Sequence, residues 1–388
     1  MGALRSSRDT AIATPAIGGQ PAVSAGLFVA PVVLTLLTTR AGYDAAAAAS
    51  LLSLEMTISA LATLALSGFI RSGAARRLAV LGGGLVVVGN AMSLISSAPG
   101  MLAPARALAG LGGGVLAAAI AVISVRARNP ERLFSLQTVC SILAGSICLA
   151  LIPVVAPVLG YRAPYAVLLG VGILALALVS RLPAPPSPAA VRVRSRRVAG
   201  FAPVGLAALG GVVLTQLGQG AFWTFVGQFG LSAGLSETEI GGFLSVATLM
   251  LLAGVAGAAV AGARFGRIGP LVALVAVNAL SILVITLSRD PATYIGANVV
   301  QAMTNLSSVV FELGLAAALD RSGRLAAAAA GLITLGNGLG PSLGGAIARA
   351  AGAGAIGPAV LVLNLGALVA FAGVGLSLGR PGRVRADP

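Results

Sequence analysis

The sequence predicts an all-α membrane protein of twelve transmembrane helices in two six-helix bundles. The first reason is composition: 57% of the residues are hydrophobic, 9% are charged, and mean hydropathy is +1.01. A soluble fold needs a polar surface that 25 bases and ten acids cannot supply over 388 residues. The second is that the apolar residues gather into continuous runs of about 20, the length of a bilayer-spanning helix. In lipid only helices or closed barrels satisfy the backbone, and these Ala/Leu/Val/Gly-rich runs lack the alternation of barrel strands. The third is residues 181–203, RLPAPPSPAAVRVRSRRVAGFAP, where five arginines and five prolines separate six apolar runs from six more.

In chain order the spans are predicted over 20–39, 45–70, 78–97, 101–125, 134–158 and 163–181, then 203–228, 238–262, 268–288, 292–318, 325–348 and 354–378. The domains follow as 1–181, a linker over 182–202, and 203–388. The first run follows Arg5 and Arg8 as a signal peptide would, but eleven further spans make it an uncleaved first helix. Gly-rich stretches at 82–84 and 112–114 read as close helix packing. A phosphate loop would need a lysine, and the chain has neither Lys nor His. Cys140 and Cys148 both fall in the fifth span, where an apolar setting favours inert thiols.

The arginines check the span count. With the N-terminus inside, 20 of the 25 fall on inner segments and four (Arg40, Arg162, Arg289, Arg349) on outer ones. Arg106 is within a span. That bias places both termini and the linker in the cytoplasm. The basic excess therefore reflects topology and gives no nucleic-acid-binding face.

The halves echo each other. GFIRSGAARR (68–77) after span 2 corresponds to GARFGRIGP (262–270) after span 8, and PERL (130–133) after span 4 to SGRL (322–325) after span 10. Such parallel repeats suggest alternating access to a central site.

These segments make the chain resemble the major facilitator superfamily of transporters over nearly its whole length. GARFGRIGP is similar to that family's Gly-x-x-x-Asp-Arg-x-Gly-Arg loop, with Gly262, Arg267 and Gly269 matching and Gly266 where Asp is usual. In the loop after span 2, Gly68, Arg76 and Arg77 fit and Ser72 stands at the Asp position. RALAGLG in span 4 fits Arg-x-x-x-Gly-x-Gly through Arg106, Gly110 and Gly112. In the drug–proton antiporter branch this arginine is associated with proton coupling. GNGLGPSLGG in span 11 fits the antiporter signature through Gly336, Gly340, Pro341, Gly344 and Gly345. The family carries that signature on span 5. The resemblance implies loops that latch conformations, and helix packing through the glycines.

Ionisable groups inside spans are costly and point to function. Glu55 lies near the middle of span 2, Arg106 in the outer part of span 4, and Glu312 in the inner part of span 10. Glu55 and Arg106 are expected to approach each other, with Glu55 carrying an exchangeable proton; the alternative is a static pair that fixes helix packing. Asn298, Gln301, Asn305, Ser308 and Glu312 form one polar stripe on span 10 at helical spacing. It reads as a substrate pathway or as polar interhelical packing. Span 7 offers Gln216, Gln219 and Trp223, with Thr215, Phe222 and Gln228 nearby, and span 1 offers Phe28 and Thr35. Amides beside aromatics suit an organic solute; the alternative for Trp223 is a place in the outer interfacial belt. Glu237, Glu239, Asp44 and Asp290 read as solvated or capping groups at outer ends.

The functional expectation is a bacterial inner-membrane secondary transporter for proton-coupled efflux of a small organic compound. Its partners are a small-molecule substrate, protons and the lipid bilayer. It needs no cofactor, metal or nucleic acid, and is expected as a monomer. The alternatives are a proton-coupled uptake symporter for a sugar or organic acid and, remotely, a non-transporting receptor or scaffold. An enzyme is not expected, because without His and with two embedded carboxylates no catalytic set converges.

Overall fold

The computed structural model describes residues 2–67, 72–96, 99–125, 127, 129–182, 202–320 and 322–378. Among the described residues every regular element is helical. The helices are α1 (Gly2–Arg40), α2 (Ala45–Ser67), α3 (Ser72–Ile95), α4 (Pro99–Ser124), α5 (Pro130–Leu159) and α6 (Ala163–Val179). They continue with α7 (Pro203–Ser232), α8 (Glu237–Phe265), α9 (Ile268–Leu287), α10 (Pro291–Leu319), α11 (Arg324–Ala351) and α12 (Ile356–Leu378). The predicted linker 182–202 falls, apart from its two end residues, outside the described residues, as does Gly68.

Ten segments of the described chain are long and apolar enough to cross a membrane; one, Pro130–Val179, covers both α5 and α6. The first, Ala13–Arg40, starts before the predicted residue 20 because the small and apolar residues 13–19 continue the helix on its N-terminal side. The predicted span 11 forms a helix but is not among these ten segments. Gly, Thr, Asn, Ser and Pro dilute its apolarity, and its buried residues are mostly small, among them Ala329, Gly336, Gly340, Gly344 and Gly345 beside Leu325 and Pro341. Large apolar side chains such as Val158 and Val369 are 86% and 75% exposed. Such surfaces are what lipid covers.

Helix ends are set by local chemistry. Asn129 Oδ1 accepts from the Arg132 N–H at 3.0 Å and Pro130 opens α5. Asp290 accepts from the Thr293 N–H at 2.8 Å and Pro291 opens α10. Ser236 and Glu239 form a reciprocal capping box at α8: the Ser236 N–H reaches the Glu239 carboxylate at 2.8 Å and the Glu239 N–H reaches Ser236 Oγ at 3.3 Å. In the α10–α11 turn, the Ser322 hydroxyl and N–H and the Leu325 N–H all donate to Asp320. The Ser322 bonds above all hold that carboxyl below the usual carboxylate range. Gly266, where the family pattern has Asp, adopts φ +73° between α8 and α9, a left-handed turn that suits glycine.

Two compact units are present. One comprises Met1–Ser195, Trp223–Leu231 and Leu235–Leu249; the other Arg196–Phe222, Ser232–Gly234 and Met250–Pro388. The first is cored by Ala16, Ala79, Leu116, Ile120, Leu133 and Val179. The second is cored by Val212, Leu271, Val275, Phe311, Leu315 and Phe371.

The same helix pairings recur in the two halves of the sequence, often through a glycine. A Cβ on Gly110 of α4 would strike the Glu55 carbonyl of α2, and one on Gly114 the Ser59 carbonyl a turn further on. Gly254 of α8 meets the Met303 carbonyl of α10 in the same way. Gly145 of α5 lies against the Phe28 ring of α1, and a Cβ on Gly336 of α11 would come within 2.8 Å of Gln216 Cβ of α7. A Cβ on Gly112 would lie 2.6 Å from Val86 N in the α3 backbone. With no apolar solvent difference to drive helix association in lipid, such close approach is how dispersion holds a bundle together.

Candidate functional site

The first polar centre is built on α2, α3 and α4. Gly110 lets α4 lie directly on the α2 backbone at Glu55, and Arg106 is one turn before Gly110. That crossing brings Arg106 Nη1 to 3.1 Å from Glu55 Oε2. Arg106 is 1% exposed, and its Nε and Nη2 donate to α3. Nε reaches Ser93 Oγ at 3.0 Å, while Nη2 reaches Asn90 Oδ1 and Ser93 Oγ at 2.8 Å each and the Gly89 carbonyl at 3.3 Å. Its guanidinium also lies 4.8 Å from the centre of the Tyr165 ring of α6. Glu55 Oε1 faces Gly26 of α1. The predicted approach of Glu55 and Arg106 is therefore present. What sequence reading missed was the α3 anchor. Asn90 and Ser93, three apart in an apolar helix, were its signal.

The second centre joins α7, α10 and α11. Glu312 of α10 is 1% exposed. Thr215 Oγ lies 2.8 Å from its Oε1, and Gln216 Nε2 donates to Oε2 at 3.0 Å. Gln216 accepts in turn from Asn337 Nδ2 of α11 at 3.0 Å. The small residues Gly220, Gly336 and Gly340 make this possible: a Cβ on Gly340 would lie 2.5 Å from Gly220 Cα. The Gly-Pro signature of α11 thus acts as a packing seam against α7. A turn along, Gln301 Nε2 donates to Gln219 Oε1 at 3.0 Å, and Asn278 of α9 donates to the Gln301 carbonyl and Thr304 hydroxyl at 3.3 and 3.2 Å. Asn337 and Asn278 were not foreseen.

The α10 stripe is only partly convergent. Glu312 and Gln301 meet α7, whereas Asn298 Nδ2 turns back to the Tyr294 carbonyl at 2.9 Å and Asn305 is half-buried. Trp223 Nε1 donates to the Leu27 carbonyl of α1 at 2.8 Å, and Phe28, the next residue, covers Gly145. Thr35 is buried, bonded to the Pro31 carbonyl at 2.8 Å and packed against Gly227. An apolar groove of about 590 Å³ lies between α8, α9 and α10, lined by Gly257, Phe265, Pro270, Met303 and Ser307, and none of the predicted cavity residues lines it.

The loop residues stand apart from both centres. Arg76 donates to the Ser180 carbonyl at 3.2 Å. Arg77, Arg267 and Gly269 are exposed and Gly262 is half-buried beside Phe311. Among the outer carboxylates, Asp44, Glu239 and Asp290 cap helices as expected. Glu237 does not: Arg40 Nη2 pairs with its Oε2 at 2.6 Å, Thr39 donates to its Oε1 at 2.6 Å, and Arg40 also reaches the Ala156 carbonyl of α5 at 2.8 Å. Glu237 keeps 22% of its side chain exposed, and the reading of it as solvated or capping left out this pairing with a long arginine at the end of α1.

A sequence model of the Major Facilitator Superfamily matches residues 21–345. No curated protein matches the chain. Among solved structures it is similar to the nucleoside transporter NupG, with TM-score 0.71 and 11% identity over 96% of this chain and 100% of that one. It is also similar to the peptide transporter POT in complex with alafosfalin, with TM-score 0.72 and 14% identity over 94% of each chain. At such identities these likenesses speak for the fold alone.

Proposed function

The chain belongs to the major facilitator superfamily of membrane transporters, and from that premise we propose that it exports a small organic compound in exchange for protons. The proposal takes the family's alternating-access cycle, twelve spans with α11 among them, and a monomer in a bacterial inner membrane with both termini cytoplasmic. The sorting of 20 arginines to one side supports that orientation.

One observation carries the coupling: a carboxylate and a guanidinium, 3.1 Å apart, sit within apolar helices. Arg106 has its own anchorage on Ser93, Asn90 and Gly89, so it stays in place whether or not Glu55 is charged. Glu55 can then take up a proton, give up the ion pair, and reform it on release. The ion pair is the lower-energy partner of that exchange only while both charges are present. The cargo proposed is neutral or cationic, because Arg106, the embedded arginine, is already paired with Glu55 and bonded to α3.

The test is a susceptibility screen of cells with and without the gene against drugs and metabolites, run with and without a proton uncoupler. Export predicts resistance that the uncoupler abolishes and that Glu55→Gln also loses. Full retention of uncoupler-sensitive export in Glu55→Gln removes Glu55 from coupling. Gene-dependent sensitisation, with proton-driven accumulation, would replace export by uptake.

A further inference from the structure

The Thr215 hydroxyl has one proton and two acceptors within reach. Its oxygen is 2.8 Å from Glu312 Oε1 and 2.9 Å from the Val212 carbonyl. Both are good O···O hydrogen-bond distances, yet a hydroxyl donates once. If it donates to Val212, the proton in the 2.8 Å contact must belong to Glu312, which is then a neutral acid donating to Thr215. If it donates to Glu312, Oε1 is an acceptor, as both oxygens are in the ionised carboxyl. The rest of the cluster accommodates both assignments without moving a heavy atom. Gln216 Nε2 donates to Oε2 in each, and Asn337 Nδ2 holds the Gln216 carbonyl and its own Ile333 carbonyl, both at 3.0 Å.

No cation accompanies this carboxyl. The two ion pairs among the described residues are Arg40–Glu237 and Arg106–Glu55. Helices α7, α9 and α12 contain no Asp, Glu, Lys or Arg. On α8 and α11 the charged residues lie in the end turns: Glu237, Glu239 and Arg264 on the one, Arg324 and Arg349 on the other. On α10 itself the other titratable group is Tyr294, and Asp290 and Asp320 flank its ends. Two neutral hydrogen bonds do not offset the desolvation of a buried carboxylate, whereas they fully satisfy a carboxylic acid.

We propose that Glu312 is a proton-binding site in its own right, distinct from the Glu55–Arg106 pair, with Thr215 as its proton-switching partner. At rest Glu312 carries the proton and donates to Thr215. When water reaches the site the proton passes to it, and the Thr215 hydroxyl turns from Val212 to the new carboxylate. The site deepens the proton-coupled reading above and rests on it only for its use in transport.

Infrared spectroscopy of the protein in lipid vesicles tests this without a substrate. Near neutral pH the full chain should show a protonated-carboxyl C=O band that shifts in heavy water. Glu312→Gln, which keeps the shape and the acceptor, should lose the band; Glu55→Gln should keep it. Thr215→Val should shift the band and leave its intensity, which assigns it even if Glu312→Gln fails to assemble. Absence of the band from the unaltered protein, or its loss in Glu55→Gln with retention in Glu312→Gln, would overturn the proposal. A Glu312 band in a protein whose flux ignores the proton gradient would support this site and sink the exchange mechanism.

Discussion

At the scale of single residues, the two embedded acids differ in how their charge is met. Glu55 has a guanidinium; Glu312 has an alcohol and an amide. Arg106→Ala leaves the part-buried Glu55, 16% exposed, without its cation, and breaking a fully buried pair from one side, an upper bound here, typically costs about 3–5 kcal/mol. The expected result is a large fall in the thermal midpoint in detergent. Arg106→Lys should recover only part of it, because an ammonium cannot serve Ser93, Asn90, Gly89 and Glu55 together. The Arg40–Glu237 pair is the contrasting case. Its side chains are 35% and 22% exposed, so Glu237→Gln should change stability by no more than about 1 kcal/mol, with the difference fading at high salt. An Arg106 variant that melts like the parent protein would contradict the first expectation.

At the scale of elements, glycine decides where helices touch. Gly110→Ala puts a methyl group into the α2 backbone, and overpacking of this kind costs typically about 1–3 kcal/mol. It should also weaken uncoupler-sensitive export, since the same crossing sets the Glu55–Arg106 distance. Gly84→Ala on α3 is the matched control: its Cβ meets nothing within 4 Å, and alanine favours a helix by up to about 1 kcal/mol. If both variants melt alike, close approach is not what holds α4 on α2. Helices with strong apolar runs were readable from sequence because lipid leaves the backbone no alternative. Glu55, Arg106 and Glu312 were readable because charge stands out in such runs. Asn90, Ser93, Asn337 and Asn278 were not, because a helical Asn or Ser can bond to its own preceding turn, as Asn298 does with Tyr294 and Asn364 with Val360. Their long-range partners are decided by helix crossings, which sequence spacing does not specify. The role of Glu237 was missed for the same reason.

At the scale of the whole molecule, each half of the sequence repeats one set of helix pairings but fills it with different chemistry. In the first, an ion pair is braced by α3; in the second, a cation-free acid sits among amides. A transporter with two proton sites should lose proton-driven flux when either is removed. In vesicles loaded with a cargo identified by the screen, Glu55→Gln and Glu312→Gln should each lower proton-driven flux about a hundredfold or more, the lower end of what one acid–base group contributes to a proton transfer. Exchange of cargo without a proton gradient should survive in both. Equal loss of exchange would mean that the carboxyls only hold the fold.

Trp223 offers a practical consequence. It is the chain's one tryptophan, and its indole N–H is bonded to the Leu27 carbonyl while the ring is partly buried. Intrinsic emission therefore reads a single location with no label and no engineered mutation. If water replaces that carbonyl during the cycle, the spectrum should move to the red and become open to aqueous quenchers. The protein carries its own optical gauge for finding a cargo by titration.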